Sequence, residues 1–316
     1  MRYRQLGDSG LTVSVVGLGC NNFGRVCDLE ATRSVVDAAI DAGVTLLDTA
    51  DYYGVGASEE LIGQVLGRRR TDVVIATKFG MDMQGLNGPD WGVRGSRRYI
   101  RLAVEASLRR LRTEWIDLYQ YHVPDGVTPV EETLAALHEL VVEGKVRYIG
   151  WSNVSGWQVA DADWTARAAG TARFVSVQNH YSLLDRGVEA EVVPACEQFG
   201  VGLLPYFPLA NGLLTGKYRL GAALPTGARI TDRKPELASP ERLGAVEKLI
   251  EYADARGRSL LDVAIAGLAA QPAVASVIAG ATKPEQVTAN AAAGEWEPTA
   301  EDLAELDKVV LPGGSP

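Results

Sequence analysis

The sequence predicts an α/β fold, a (β/α)8 barrel with an N-terminal β-hairpin and extra C-terminal helices. Short apolar, strand-like runs alternate with helix-like stretches from end to end of the 316 residues. Eight such pairs follow one another, and repeated strand–helix units imply a parallel sheet. No linker or change in composition divides the chain, and a barrel of this kind needs about 250 residues, so 1–316 reads as one domain. An open doubly wound sheet is the alternative, but eight successive units favour closure.

Tyr3 to Leu6 is expected to pair with the segment after it as a hairpin over the barrel's bottom. Val13 to Gly19 reads as the first strand, and Leu29 to Ala42 as a helix whose apolar face carries Val35, Val36, Ala39 and Ile40. Val44 to Leu47 is the second strand, followed by a helix capped by Ser58 and running to about Leu66. Arg68, Arg69 and Arg70 read as a solvated helix terminus, where cations complement the dipole. Val73 to Thr77 is the third strand. A loop rich in Gly, Asn and Asp (Gly80 to Gly95) leads into a helix from Ser96 to Leu111. The fourth strand is Trp115 to Tyr121.

Thr128-Pro129-Val130-Glu131 reads as a capping box with Pro at the first helical position. That helix ends near Gly144, before a fifth strand from Val146 to Trp151. Gly156 to Ala169 is helical, Phe174 to Gln178 the sixth strand, Glu189 to Phe199 helical, and Val201 to Pro205 the seventh strand. The long loop from Phe207 to Pro240 has a length associated with function. Helices at Glu241 to Arg256 and Leu260 to Ala270 follow, then the eighth strand, Ala273 to Ile278, and a helix from Pro284 to Ala293. The tail from Leu311 to Pro316 reads as frayed.

A formal net charge of −9 argues against a nucleic-acid partner, because phosphate neutralisation needs clustered Lys and Arg. Three cysteines, Cys20, Cys27 and Cys196, suit a reducing compartment better than a disulfide framework. Their spacing, with no histidine nearby, offers no metal site. The amino terminus lacks the apolar core of a signal peptide, and no apolar run is long enough to cross a bilayer. The expectation is a cytoplasmic protein without membrane contact, monomeric or homo-oligomeric.

Asp48, Lys78 and His122 each lie at or just beyond the carboxyl end of a short apolar run, and Tyr53 follows Asp48 in the next loop. In a parallel sheet these ends share one face. Singly, Asp48 could cap a turn, Tyr53 could be a loop aromatic, Lys78 a surface charge and His122 a satisfied barrel-end histidine. At the ends of successive strands, together, they are equipment for moving a proton. An ammonium beside a phenol lowers its pKa from the ordinary value of about 10. Lys78, fixed by Asp48, is expected to do this for Tyr53 while His122 orients a substrate oxygen. His138, mid-helix, reads as surface, and His180 as a cleft residue without chemistry.

These residues carry a resemblance. Gly43-Val44-Thr45-Leu46-Leu47-Asp48-Thr49-Ala50-Asp51-Tyr52-Tyr53-Gly54 resembles the first signature of the aldo-keto reductases. Asp48, Tyr53, Lys78 and His122 match that family's catalytic tetrad in identity and order. Ile149-Gly150-Trp151-Ser152-Asn153 and Gln178 resemble its carboxamide-binding positions. The run from Pro205 to Tyr218 is similar to the cofactor loop of its bacterial and potassium-channel-β-like branches. The resemblance covers nearly the whole chain. It implies a nicotinamide cofactor lying across the strands' carboxyl ends. Gly19, Cys20, Asn21 and Asp48 would border it, with Ser152, Asn153 and Gln178 on the carboxamide and Tyr206 stacked on the ring. Phe207, Pro208, Leu209, Gly212 and Lys217 would cradle the pyrophosphate, and Gly280, Thr282, Lys283, Gln286 and Asn290 the adenosine end. Neither a Walker loop nor a Rossmann fingerprint competes: Tyr218 replaces the required Ser or Thr, and Gly17-x-Gly19 lacks a third glycine.

Departures from the family pattern bear on specificity. Gln286 stands where many members have Arg, leaving Lys283 as the nearest cation in sequence for a 2′-phosphate. NADPH is the expected cofactor, with NADH possible. Asn21 and Val123 replace bulkier residues, so the substrate pocket around Asn21, Tyr52 and Val123 is expected to be less aromatic. Trp91 is expected to supply another wall. A small polar aldehyde or sugar-like carbonyl fits such a pocket. Two functions follow from the resemblance: a carbonyl reductase with Tyr53 as general acid, and a cofactor-bound redox sensor or scaffold with slow turnover. A metal-dependent hydrolase would need more His and carboxylate ligands than these strand ends supply.

Overall fold

The computed structural model describes residues 1–227 and 229–310; the tail from Leu311 to Pro316 lies outside them. β1 (Tyr3–Gln5) and β2 (Thr12–Ser14) pair antiparallel, Tyr3 opposite Ser14. The chain then runs β3 (Val16–Gly19), α1 (Leu29–Asp41), β4 (Leu46–Asp48), α2 (Ala57–Leu66), β5 (Val74–Phe79), α3 (Arg97–Leu111), β6 (Ile116–Tyr121) and α4 (Val130–Val142). It continues through β7 (Val146–Ser152), α5 (Gly156–Ala169), β8 (Phe174–Gln178), α6 (Val192–Phe199), β9 (Gly202–Leu203), α7 (Arg229–Arg233) and α8 (Pro240–Asp254). α9 (Leu260–Ala269), β10 (Val277–Gly280), α10 (Pro284–Ala293) and α11 (Ala300–Val309) complete it.

Eight strands pair in parallel in the order β10-β3-β4-β5-β6-β7-β8-β9. Bridges from Leu203 to Val274 and from Tyr206 to Ile278 bring the two outer strands together. The fold is the expected (β/α)8 barrel with its hairpin. Leu6 and Val13 of the hairpin segment pack with Leu46, Ala76, Leu118, Leu204 and Ile278, filling the barrel from below with a continuous apolar core. Gly150 is required in that interior, since a Cβ there would lie 2.4 Å from Ser176 Oγ. Outside, α1 begins where Asp28 Oδ1 accepts from Ala31 N at 2.9 Å and buries Val35, Val36 and Ala39 against the sheet.

Several expected boundaries move. The first strand divides at Val15: residues 12–14 serve the hairpin and 16–19 the barrel, with Val15 N donating to Arg2 O. Ser58 does not cap α2. Gly56, at φ 93°, holds that position, and Ser58 Oγ instead donates to Cys20 O and contacts Thr49 Oγ1. Thr128 forms no capping box, because Asp125 takes its hydroxyl and its amide, together with the amides of Val127 and Gly95. The helix expected from Glu189 is a 3-10 turn (Gly187–Ala190) followed by α6, with non-helical backbone at Glu191 between them. The eighth strand shifts to 277–280, and the stretch before it hydrogen-bonds Leu203 instead.

The basic run after α2 is not uniformly solvated. Arg70 is buried, donating to Asp117 Oδ2 (2.7 Å), Trp115 O (3.0 Å), Val73 O (3.2 Å) and Thr113 Oγ1 (3.2 Å), with its guanidinium over the Trp115 ring. Asp117 also accepts from Ile75 N, so the pair ties β5 to β6.

Candidate active site

Because all eight strands are parallel, their carboxyl ends meet on one face of the barrel. Asp48 ends β4 and accepts at both oxygens: Oδ2 from Lys78 Nζ (2.7 Å), Oδ1 from Gln178 Nε2 (2.8 Å) and Gln120 Nε2 (3.2 Å). Lys78, one residue from the end of β5, is wholly buried. Its ammonium also donates to Thr49 O (2.8 Å) and reaches Tyr53 Oη at 3.4 Å. A buried charge needs such partners, because desolvation without them is costly.

Tyr53 stands on the loop after β4, its amide bonded to Ala50 O, while the neighbouring Asp51 N donates to Lys78 O. His122 follows β6. Its amide donates to Phe79 O, and its ring meets the Tyr53 ring edge-on at 5.9 Å between centroids. Asp48, Tyr53, Lys78 and His122 are therefore brought together in one cluster.

Above it opens a cavity of about 940 Å³. Gly19, Cys20, Asn21, Asp48, Tyr52, Tyr53, His122 and Val123 line it, as do Ser152, Asn153, Gln178, Tyr206, Phe207, Pro208, Leu209, Gly212, Lys217, Gly280, Thr282, Gln286 and Asn290. Lys78 lies beneath its floor. Two expected residues are elsewhere. Trp91 is 73% exposed with the Arg98 guanidinium 4.3 Å over its ring, and from its loop it is Met81 that faces the cavity. Lys283 is exposed at the start of α10 and does not line the cavity. Gln286 turns back on Thr282, its Oε1 accepting from the Thr282 amide at 2.8 Å.

The residues present fit a nicotinamide dinucleotide. Tyr206 offers a flat ring, held by its hydroxyl on Asn153 Oδ1 at 2.8 Å. Asn153 Nδ2 donates to His122 O and Ser152 Oγ, which links Ser152 and Asn153 to the cluster of Asp48, Tyr53, Lys78 and His122. The Ser152–Asn153 pair does not cap α5, a task taken by the Ser155–Gln158 box. Asn211 Oδ1, on the loop below, is buried without a partner among the described residues, and Asn211 and Gly212 both have positive φ (59° and 109°). Lys217 adds an exposed ammonium at the cavity's edge. Among the described residues no group of three or more His, Cys, Asp or Glu could hold a metal ion, and no helix is long and apolar enough to cross a membrane.

A family model described as Aldo/keto reductase family matches residues 15–311. The chain belongs to this family. It is 37% identical to a probable voltage-gated potassium channel subunit beta of Oryza sativa subsp. japonica, over 98% of this chain and 97% of that protein. It is 35% identical to the versiconal hemiacetal acetate reductase of Aspergillus parasiticus, over 99% and 98%. The L-glyceraldehyde 3-phosphate reductase of Escherichia coli (strain K12) is 33% identical, over 99% and 93%.

In this aldo/keto reductase the charge states follow from burial. Burial pushes the Lys78 ammonium down, but Asp48 and Tyr53 outweigh it and the pKa is raised, so Lys78 is charged. Burial pushes the Tyr53 phenol up, and Lys78 offsets this only in part. The expectation that Lys78 brings Tyr53 below its ordinary value is therefore corrected. Asp48 already neutralises the ammonium, and the phenol stays protonated. His122 is brought down to about 3 by burial and then by Lys78, so its ring is neutral.

Gln120 was not foreseen as a site residue. It follows Leu118 by two positions on β6, so both face the barrel interior, and a polar side chain there needs a partner. That inward polar residue in an apolar run was the available signal. Arg25 and Met81 also line the cavity from loops, where sequence periodicity says nothing of direction, and Asp232 does so from the short helix α7 inside the stretch expected to be loop.

Proposed function

We propose that this aldo/keto reductase reduces an aldehyde or ketone to its alcohol with a nicotinamide cofactor, NADPH in preference to NADH. The observation that carries the reading is the contact of Lys78 with both Asp48 and Tyr53 beneath a cavity large enough for cofactor and substrate. When bound, the nicotinamide supplies a hydride to the carbonyl carbon. Tyr53 Oη gives its proton to the carbonyl oxygen, completing the alcohol. Lys78, held by Asp48, stabilises the phenolate left behind. Neutral His122 orients the carbonyl by a hydrogen bond to its oxygen.

Support for NADPH comes from Arg25, a cavity-lining cation that among the described residues pairs with no carboxylate. A 2′-phosphate adds the anion it suits, whereas Lys217, at the pyrophosphate, serves NADPH and NADH alike. The reductase names of two relatives support turnover of a carbonyl substrate. One barrel domain, acting in the cytoplasm as a monomer or homo-oligomer, is proposed to carry it out.

A second reading, a redox sensor or scaffold with slow turnover, is favoured by the likeness to the rice channel subunit. NADPH oxidation followed with a panel of aldehydes and diketones tests the choice. Many cycles per protein support the reductase. A single cycle limited by cofactor release supports the sensor. Failure to bind either cofactor contradicts both.

A further inference from the structure

His180 belongs to no part of the chemistry above, yet it stands directly behind the proposed nicotinamide platform. Beyond the end of β8 the chain pairs with the segment after β9 through a parallel bridge between His180 and Tyr206. Tyr206 N donates to Asn179 O, and Tyr181 N to Tyr206 O. The bridge sets the two side chains next to each other, ring centroids 5.6 Å apart and planes 17° from parallel. Tyr206 lines the cavity and His180 does not, so the imidazole covers the face of the phenol turned away from it.

His180 packs beside a fixed carboxylate without a hydrogen bond to it. Its Nε2 lies 3.7 Å from Asp185 Oδ2, beyond hydrogen-bond reach and with no partner among the described residues, and Arg242 grips Asp185 at 3.1 and 2.9 Å from the first turn of α8. Ser182 Oγ donates to the same carboxylate. Phe207 meets both rings edge-on, at 5.9 Å from His180 and 5.2 Å from Tyr206. Tyr206 is thus fixed at its hydroxyl by Asn153, at its edge by Phe207 and on its rear face by His180. α8 follows the long loop on the cavity's rim, so the Arg242–Asp185 pair ties that loop's end to the platform.

We infer that His180 is a positioning residue for the nicotinamide ring, holding the Tyr206 plane parallel to the ring it receives. The inference rests on the functional reading given above. A stacked aromatic pair offset in this way is stabilising and directional, and rigid support of a binding face raises affinity by cutting the ordering needed on binding.

Dissociation constants for NADPH and for 2′,5′-ADP, which lacks the nicotinamide, test it in wild type, His180→Ala and His180→Phe. NADPH binding is expected to weaken about three- to tenfold in His180→Ala and to stay within about twofold in His180→Phe. Binding of 2′,5′-ADP is expected to be unchanged in both. Equal losses for the two ligands in His180→Ala, unchanged NADPH affinity in His180→Ala, or a Phe variant as weak as the Ala variant would each overturn the inference. Absence of NADPH binding in the wild type would overturn the functional reading, and this inference with it.

Discussion

The Lys78 ammonium lies 2.7 Å from Asp48 Oδ2 with almost no solvent on either side chain. The pair is the floor of the site, and its second contact, to Tyr53, makes it part of the proposed chemistry as well as of the fold.

Asp48→Asn should leave the ammonium without its counter-charge. Removing one partner of a buried pair costs about 3–5 kcal/mol, which urea unfolding would read directly. The fold raises the Lys78 pKa above the ordinary 10.5. Its contribution is therefore fully present below pH 10.5 and is lost as the pH rises through the raised value. Wild-type stability should fall on that alkaline side, and the same fall should be reduced in Asp48→Asn.

His122 gives the opposite slope. Its pKa is 6.5 when free and about 3 in the fold. Between those values the unfolded chain binds more protons, so stability should decline as the pH drops from 6.5 towards 3. Unfolding curves across that range should be flatter for His122→Gln. An unchanged slope would contradict a neutral, buried imidazole.

Arg70 and Arg68 are two residues apart in sequence and differ in burial, Arg70 being buried and Arg68 exposed. Arg70→Ala removes a buried cation from Asp117 and should cost about 3 kcal/mol. Arg68→Ala should stay within about 0.5 kcal/mol. Thermal melts of the two variants, side by side, check the contrast.

The proposed phosphate contacts separate in the same way. Lys217→Ala should weaken NADPH binding about fivefold, and added salt should narrow the difference. Lys283→Ala, whose side chain does not line the cavity, should leave the affinity within about twofold. Titration by fluorescence would show a reversed order if the adenosine end were held as the sequence suggests.

Strand ends were legible in the sequence because a polar residue closing an apolar run leaves few alternatives once the strands are parallel. Asp48, Lys78 and Gln178 fall at those ends, and α5, β8 and α10 keep the expected bounds. Helix starts were less legible, since a hydroxyl near a start has competitors. Ser58 is drawn to Cys20 O and Thr128 to Asp125, both through contacts that depend on the tertiary fold. Charged residues were hardest to read. Arg70 and Lys283 have similar chemistry in sequence, but only the packed chain shows that one is buried and the other faces away from the cavity. Tyr53 illustrates the same limit. A neighbouring ammonium was visible, whereas the burial that outweighs it was not.

Tyr53 is the proposed proton donor, and NADPH oxidation at 340 nm in wild type and Tyr53→Phe is the decisive measurement of that role. Removing a general acid costs about 100-fold or more. Wild type should show multiple turnovers and Tyr53→Phe a fall of that size, with NADPH affinity little changed. Equal rates in the two proteins would contradict that role.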